Sequence, residues 1–164
     1  QKGRCFSGGV GIGKTHLLVG ELRYLTLEKG IPCRYVEFTH LLAELRRSYS
    51  ENRSESEILG PLAEVPVLAI DELGKGRCNE FELRIVDELI SRRYNDSSLT
   101  TLFATNYYPS AVLRSRSEGG QVESLADRIG ERSESRIYEL CEFIFLDGSD
   151  QRLAQFRGWP RDSS

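Results

Sequence analysis

The chain has 164 residues, of which 39% are hydrophobic and 29% are charged, and its formal net charge is -3. This length is typical of one domain with a substantial apolar core, so we expect residues 1–164 to form a single domain. The slightly acidic balance gives no overall attraction for nucleic acid, and any DNA contact must come from a local basic cluster. No apolar run reaches the roughly 20 residues that span a bilayer, and the first residues lack a signal-peptide core. We therefore expect a cytoplasmic protein.

The first predicted element is a strand around Cys5-Phe6, and a glycine-rich loop follows it directly. The loop, Gly8-Gly9-Val10-Gly11-Ile12-Gly13-Lys14-Thr15, fits the phosphate-loop pattern G-x-x-x-x-G-K-[ST] at every fixed position. A helical pattern opens at His16, so the loop lies between a strand and a helix, as phosphate binding requires. We predict that residues 8–16 bind a nucleotide, with Lys14 on the β/γ-phosphates and the Thr15 hydroxyl on Mg²⁺. The alternative is a glycine-rich turn that leads into an ordinary helix.

The next elements alternate between helices and strands. Leu18, Leu22 and Leu25 recur at helical spacing, and Gly30 with Pro32 provides a stop. We then predict a strand over 33–38, a helix over 39–49 and a short helix that begins after Ser54, which forms a capping box with Glu57.

The second half of the chain repeats this alternation. An apolar strand over 66–72 ends in two carboxylates, and a four-turn helix over 79–94 follows it. We predict a strand over 100–105, helical segments over 110–136 with a break at Gly119-Gly120, and a last strand over 141–146. This order indicates an α/β three-layer sandwich with a mainly parallel sheet of five strands.

Polar groups follow three of these strands, where ligands bind in open α/β sheets. One strand leads into the phosphate loop, another ends at Asp71-Glu72, and Asn106 stands after the strand over 100–105. Asp71 is suited to the Mg²⁺ shell, Glu72 to activating the attacking water, and Asn106 to the γ-phosphate or that water. The structural alternatives are a solvated turn or helix cap for the acidic pair and an ordinary turn signal for Asn106.

Other nucleotide enzymes fit the sequence less well. Asp71-Glu72-Leu73-Gly74 matches the D-x-x-G of GTPases, but the guanine-reading N-K-x-D is absent from the sequence. A P-loop phosphotransferase would need a pocket for the phosphate acceptor, which the sequence does not reveal. A water-activating glutamate would also be unfavourable in such an enzyme, because ATP would be hydrolysed instead of transferring its phosphate.

The ordered set of motifs resembles AAA+ ATPases of the DnaC/IstB group, bacterial helicase loaders and transposition helpers related to the initiator DnaA. The resemblance covers nearly the whole chain and rests on these segments: the loop with His16-Leu17, Asp71-Glu72-Leu73-Gly74, Arg92-Arg93-Tyr94-Asn95, Ala104-Thr105-Asn106, and Asp127-Arg128-Ile129 to Ser135-Arg136-Ile137. It implies Walker A at Lys14 and Thr15, Walker B at Asp71 and Glu72, sensor 1 at Asn106 and an arginine finger at Arg136. It also implies the strand order 5-1-4-3-2.

The chain departs from the DnaA-like pattern at both ends. It stops soon after Gly148, so we expect no C-terminal helical lid, and Arg152 is only a weak match for the sensor 2 arginine of that lid. The partner-binding domain that precedes the ATPase core of loaders is missing, which indicates a minimal protein or an excised domain. The protein partner, a replicative helicase or a transposase, is therefore not specified by the sequence.

Two groups of basic residues suggest further contacts. Arg128, Arg132 and Arg136 recur every four residues and are expected to share one helix face, which for the first two is equally well explained as solvated surface. Arg46, Arg47 and Tyr49 form a basic and aromatic cluster suited to single-stranded DNA, and a charged helix end is the alternative interpretation.

Two functions remain open. The first is an ATPase that assembles as a homo-oligomer, with Arg136 of one subunit completing the site of another, and acts on single-stranded DNA in replication or transposition. The second is an ATP-gated adaptor that captures a helicase or transposase and for which hydrolysis is incidental.

Overall fold

A computed structural model describes residues 2–115 and 122–148 of the chain. Five strands form one sheet in the order β2-β3-β4-β1-β5, and every neighbouring pair is parallel. The strands are β1 (Gly3–Gly8), β2 (Cys33–Glu37), β3 (Val67–Asp71), β4 (Thr100–Thr105) and β5 (Cys141–Leu146). This is the order 5-1-4-3-2 read from the other edge, so the prediction of the sheet is confirmed.

Seven helices connect or flank these strands in the described residues. They are α1 (Lys14–Leu27), α2 (Phe38–Ser50), α3 (Glu55–Glu64), α4 (Glu80–Tyr94), α5 (Ser110–Ser115), α6 (Leu125–Ile129) and α7 (Glu131–Leu140). The Ser54–Glu57 capping box before α3 is present as predicted, and the Asn79 side chain caps α4. None of the helices in 2–115 and 122–148 has the length and apolar character needed to cross a membrane.

The core has two parts, one on each face of the sheet. Side chains alternate along a strand, so neighbouring residues of one strand pack on opposite faces. Ala69 and Ala104 pack with Leu18 and Leu22 of α1 on one face, whereas Ile70 and residues of α2, α3, α4, α6 and α7 build the larger core on the other. This arrangement gives the three layers that the alternation of elements predicted.

Arg93 is a buried cation in this structure, with only 1% of its surface exposed. Its guanidinium donates to the carbonyls of Leu62, Val65 and Thr100 at 2.7–2.9 Å and to the Thr101 hydroxyl at 2.8 Å. Burial lowers the pKa of Arg93 to about 10. The side chain therefore ties the end of α3 and the start of β4 to α4.

Several predicted boundaries shift by one or two residues, and the last helix runs to Leu140 rather than to 136. Phe38, which the sequence analysis assigns to the second strand, begins α2, and its side chain is buried in the larger core. Gly130, with φ of +87°, separates α6 from α7, so the prediction that Arg128 shares a helix face with Arg132 and Arg136 is wrong. The predicted break at Gly119-Gly120, the expected absence of a lid and the weak sensor 2 candidate Arg152 all lie outside the described residues.

Candidate nucleotide-binding site

A cleft of about 590 Å³ lies at the carboxyl ends of the central strands. The residues that line it come from the phosphate loop, the end of β3 and the end of β4: Val10, Gly11, Gly13, Lys14, Thr15, His16, Asp71, Glu72, Lys75 and Asn106. The parallel register brings these segments together, because β4 pairs with β1 at Ser7–Thr105 and with β3 at Ile70–Phe103. Three separate segments of sequence therefore meet in one place.

The phosphate loop takes a conformation that depends on glycine. Gly11 and Gly13 have φ values of +77° and +97°, in the left-handed region that other residues avoid. Gly8 lies so close to the end of β5 that an added Cβ would come within 2.2 Å of the Leu146 carbonyl oxygen. The loop thus folds tightly between β1 and α1, and α1 begins at Lys14 with its N-terminus at the cleft.

Lys14 is buried at the base of this loop. Its Nζ donates to the carbonyl oxygens of Gly8, at 2.9 Å, and of Gly9. Gly8, Gly9 and Ile12, which the sequence predicts to bind the nucleotide, are not among the residues that line the cleft in the described structure, and Gly8 lies against Leu146 and Ile12. The ammonium group is therefore held in the region where the phosphate loop surrounds an anion.

Asp71 is held by three donors. The Thr15 hydroxyl and the Tyr35 hydroxyl each donate to Asp71 Oδ2 at 2.8 Å, and the Glu72 N–H donates to Oδ1 at 2.8 Å. Only 3% of the residue is exposed. Thr15 and Asp71 thus place two oxygen ligands side by side, which is the donor chemistry that a hard divalent cation takes.

Glu72 leaves the strand in a strained conformation. Its φ of +52° is unusual for a residue with a side chain. Thr105 Oγ1 donates to the carbonyl of the next residue, Leu73, at 2.8 Å and fixes this turn against β4. The carboxylate of Glu72 pairs with Lys75, and that hydrogen bond raises the pKa of Lys75. The turn therefore directs Glu72 into the cleft instead of along the sheet.

Asn106 follows the last residue of β4 and lines the same cleft. The backbone on either side of it is fixed, since Ser7 Oγ donates to the Tyr107 carbonyl at 2.9 Å and the Tyr107 N–H donates to Thr105 Oγ1 at 3.2 Å. The structure thus brings Asn106 together with Asp71, Glu72 and the phosphate loop, as the positions at the strand ends predicted.

Arg136 does not line the cleft in the described part of the chain. It lies on α7 and donates to Asp87 of α4 at 2.9 Å, and its guanidinium is 5.6 Å from the Tyr94 ring centroid. Arg128 has a different role, because it donates to the carbonyls of Gly74 and Gly76 and so holds the segment after Glu72. These hydrogen bonds favour a structural role for Arg128 over the alternative that it is a solvated surface residue.

The predicted DNA cluster lies at the end of α2, and none of its residues lines the cleft. Arg46 pairs with the buried Glu82 at 2.5 Å and stacks on Phe81, whereas Arg47 pairs with Glu51 at 3.3 Å. Tyr49 is 51% exposed. Arg46 is therefore partly committed to the fold, and Arg47 and Tyr49 remain accessible.

Sequence reasoning missed one residue that lines the cleft, Lys75, and one residue that supports the cleft from outside, Tyr35. Lys75 pairs with Glu72 three positions earlier, a spacing that could have suggested the contact. Tyr35 lies on the edge strand β2, and no local sequence signal points to it, because its contact with Asp71 depends on the pairing of β2 with β3.

The chain is similar to known ATP-binding proteins and helicase loaders. A family model described as "IstB-like ATP binding protein" matches residues 4–109. The replicative helicase loader DnaC of Buchnera aphidicola subsp. Acyrthosiphon pisum is 30% identical over 101 residues, covering 60% of this chain and 41% of that protein. DnaC of Escherichia coli strain K12 is 28% identical over 102 residues, covering 62% and 41%. The chain therefore spans about 41% of the length of these curated relatives.

Solved structures extend the likeness over most of the chain. A crystal structure of the DnaC helicase loader is 32% identical with a TM-score of 0.74, and the match covers 89% of this chain and 78% of that chain. AMPPCP-bound DnaA from Aquifex aeolicus, 16% identical with a TM-score of 0.68 and covering 98% and 48%, shares the fold. Since the family model spans more than half of the residues, this chain belongs to the IstB-like ATP-binding protein family, within the DnaC/IstB group of AAA+ P-loop proteins.

Proposed function

We propose that this chain is an ATP-hydrolysing AAA+ protein that acts on DNA, as a DnaC-like helicase loader or an IstB-like helper in replication or transposition. The observation that carries the proposal is the meeting of Lys14, Thr15, Asp71, Glu72 and Asn106 around one cleft. Each of these residue types has a separate task in phosphoryl transfer to water. Family membership supports ATP as the nucleotide.

The phosphate loop and α1 bind the triphosphate. Backbone N–H groups of the loop residues that line the cleft face the phosphate oxygens, and Lys14 exchanges its loop carbonyl partners for the β/γ-phosphates. Thr15 and Asp71 fit Mg²⁺, because their oxygens are 2.8 Å apart and Asp71 is buried. Bound there, Mg²⁺ would neutralise charge on the β- and γ-phosphates.

Glu72 and Asn106 act on the attacking water. The water oxygen bonds to the γ-phosphorus, the bond from that phosphorus to the bridging oxygen breaks, and ADP leaves. Glu72 accepts the proton from the water, so its carboxylate must leave Lys75 when the nucleotide is bound. Asn106 donates to the γ-phosphate or orients the water.

The remaining roles require partners. We infer that copies of the chain assemble so that Arg136 of one subunit reaches the nucleotide of the next, and that Arg46, Arg47 and Tyr49 contact single-stranded DNA. A replicative helicase or a transposase is the protein partner, since the curated relatives are named as replicative helicase loaders and the family as IstB-like. The cytoplasmic location expected from the sequence stays a prediction.

The central test separates nucleotide binding from hydrolysis. Lys14→Ala should abolish binding of a fluorescent ATP analogue, because it removes the cation that faces the β/γ-phosphates. Glu72→Gln should retain binding but stall phosphate release, because the amide cannot accept the proton. Equal affinity of Lys14→Ala and wild type for the analogue would refute the site.

One observation favours the ATP-gated adaptor as a second candidate. Glu72, the proposed base, is engaged by Lys75 in the described structure. If nucleotide binding does not release Glu72 from Lys75, hydrolysis is slow, and the ATP-bound state itself serves to capture the partner. ATP-dependent capture of a helicase or transposase that survives Glu72→Gln would favour the adaptor, whereas hydrolysis stimulated by single-stranded DNA favours the ATPase.

A further inference from the structure

Tyr35 reaches Asp71 from the edge of the sheet. It pairs in register with Ala69, two residues before Asp71 on β3, and residues two apart on a strand point to the same face. An aromatic side chain is long enough to contact such a diagonal neighbour on the adjacent strand. The Tyr35 hydroxyl accordingly donates to Asp71 Oδ2 at 2.8 Å, on the face of the sheet where α1 carries Thr15.

The three donors on Asp71 together fix its carboxylate. A carboxylate has about four acceptor positions, and here the Glu72 N–H uses one on Oδ1 while Thr15 and Tyr35 use two on Oδ2. Two of the donors come from segments next to the cleft, the phosphate loop helix and the turn after β3. Only Tyr35 approaches from β2, and its hydroxyl opposes rotation of the carboxylate away from Thr15.

The surroundings of Tyr35 show that its hydroxyl is a donor. An ionised carboxylate can only accept hydrogen bonds, so the contact with Asp71 Oδ2 at 2.8 Å requires the Tyr35 hydroxyl to donate. The side chain is 44% exposed and lies on a strand that pairs only with β3 in the described sheet, so it contributes little to the apolar core. Its main specific contact is therefore the metal-site carboxylate.

We propose that Tyr35 is a positioning residue for the divalent-cation site, acting through Asp71. This inference rests on the proposed binding of ATP with Mg²⁺. It assigns a role to a residue that does not itself line the nucleotide cleft but contacts Asp71, which does. The consequence is that Mg²⁺ binds the protein–nucleotide complex more weakly when the Tyr35 hydroxyl is removed.

The experiment measures nucleotide binding as a function of Mg²⁺, with no need for turnover. A fluorescent ATP analogue is titrated in EDTA and at increasing Mg²⁺ with wild type, Tyr35→Phe and the control Tyr138→Phe, which removes a hydroxyl from a partly exposed tyrosine on α7. Tyr35→Phe should match wild type in EDTA. The Mg²⁺ concentration that gives half-maximal binding of the analogue should rise about three- to tenfold in Tyr35→Phe. This is less than the full effect of losing a hydrogen bond to a charged group, because two other donors still hold Asp71.

A double-mutant comparison distinguishes positioning from a local packing defect. The Mg²⁺ titration is repeated for Asp71→Asn and for Asp71→Asn with Tyr35→Phe, and thermal unfolding of each variant checks the fold. If Tyr35 acts through Asp71, its substitution has no further effect once Asp71 is changed. An equal effect of Tyr35→Phe in both backgrounds would overturn the proposal.

The remaining outcomes are also decisive. Wild type that binds the analogue without any dependence on Mg²⁺ would refute the proposed metal site rather than the role of Tyr35. If binding by wild type depends on Mg²⁺ and Tyr35→Phe has the same half-maximal Mg²⁺ concentration, the metal site stands and the role of Tyr35 is refuted. Tighter Mg²⁺ binding by Tyr35→Phe would also refute that role, because the hydroxyl would then compete with Mg²⁺ for Asp71.

Discussion

Arg136 and Asp87 join α7 to α4 through a hydrogen-bonded ion pair of 2.9 Å. The Arg136 side chain is 16% exposed, and Ser91 of α4 is a second acceptor for the same nitrogen. An arginine finger must present its guanidinium to a neighbouring subunit. In the proposed assembly, Arg136 therefore has to leave Asp87, so the finger is restrained in the single chain.

The first prediction is that hydrolysis depends on assembly and on Arg136 in trans. Arg136→Ala should reduce the hydrolysis rate by about 10³ to 10⁵, because a finger guanidinium stabilises the charge of the transition state by that factor. Mixing Arg136→Ala with Lys14→Ala should restore activity, since one interface then joins an intact loop to an intact finger. Phosphate release is measured against protein concentration for each variant and for the mixture.

Arg132→Ala is the matched control for this experiment. Arg132 lies one turn before Arg136 on α7, but its side chain is 72% exposed. Its Nε is 3.8 Å from Asp87 Oδ1, a longer ion pair than that of Arg136. Its loss should leave the rate near wild type. If Arg136→Ala hydrolyses ATP like wild type under assembling conditions, Arg136 is not the finger.

The second prediction concerns single-stranded DNA. Arg47→Ala should weaken binding and reduce the slope of log affinity against log salt by about 0.7, the value for one lost phosphate contact on a single strand. Arg47 is the cleaner site, because Arg46→Ala would also remove the ion-pair partner of the buried Glu82. Fluorescence anisotropy at several salt concentrations measures the slope. An unchanged slope would show that Arg47 does not contact DNA and that the cluster is ordinary protein surface.

The third prediction is that Glu72 stores strain. Glu72→Gly should be about 1 kcal/mol more stable than Glu72→Ala, because only glycine adopts a φ of +52° without steric cost. Both variants lose the base and the Lys75 pair equally. The free energy of unfolding is measured in urea.

A pair of substitutions at Glu88 in α4 provides the reference for this comparison. At this position the alanine variant should be about 1 kcal/mol more stable than the glycine variant, since glycine is unfavourable inside a helix. A Glu72→Gly variant less stable than Glu72→Ala would show that the turn carries no strain.

The fourth prediction is that Arg93 stabilises the fold and its neighbour Arg92 does not. Arg93→Ala should cost about 3–5 kcal/mol, because it removes the hydrogen bonds that the buried guanidinium donates to carbonyls of Leu62, Val65 and Thr100. Arg92 is exposed and pairs with Glu88 at 2.6 Å, so Arg92→Ala should cost about 0.5 kcal/mol or less. Similar urea midpoints for the two variants would contradict the buried role.

The sequence by itself determined the elements and the chemistry that each strand end carries. The phosphate loop is a local pattern, and the apolar run before Asp71 predicts a buried strand, so Lys14, Thr15, Asp71 and Glu72 could be assigned without coordinates. The capping box at Ser54 and the helix over 79–94 were likewise local signals. Such features depend on residues within a few positions of one another, which is why spacing alone predicts them.

Tertiary structure decided the contacts that cross between elements. Tyr35 reaches Asp71 only because β2 pairs with β3 in one register, and Arg136 meets Asp87 only because α7 packs on α4. Gly130 likewise separates Arg128 from the other two arginines despite their regular spacing. These partners lie dozens of residues apart, and no local propensity specifies them, because packing of the whole core sets the register of strands and the faces of helices.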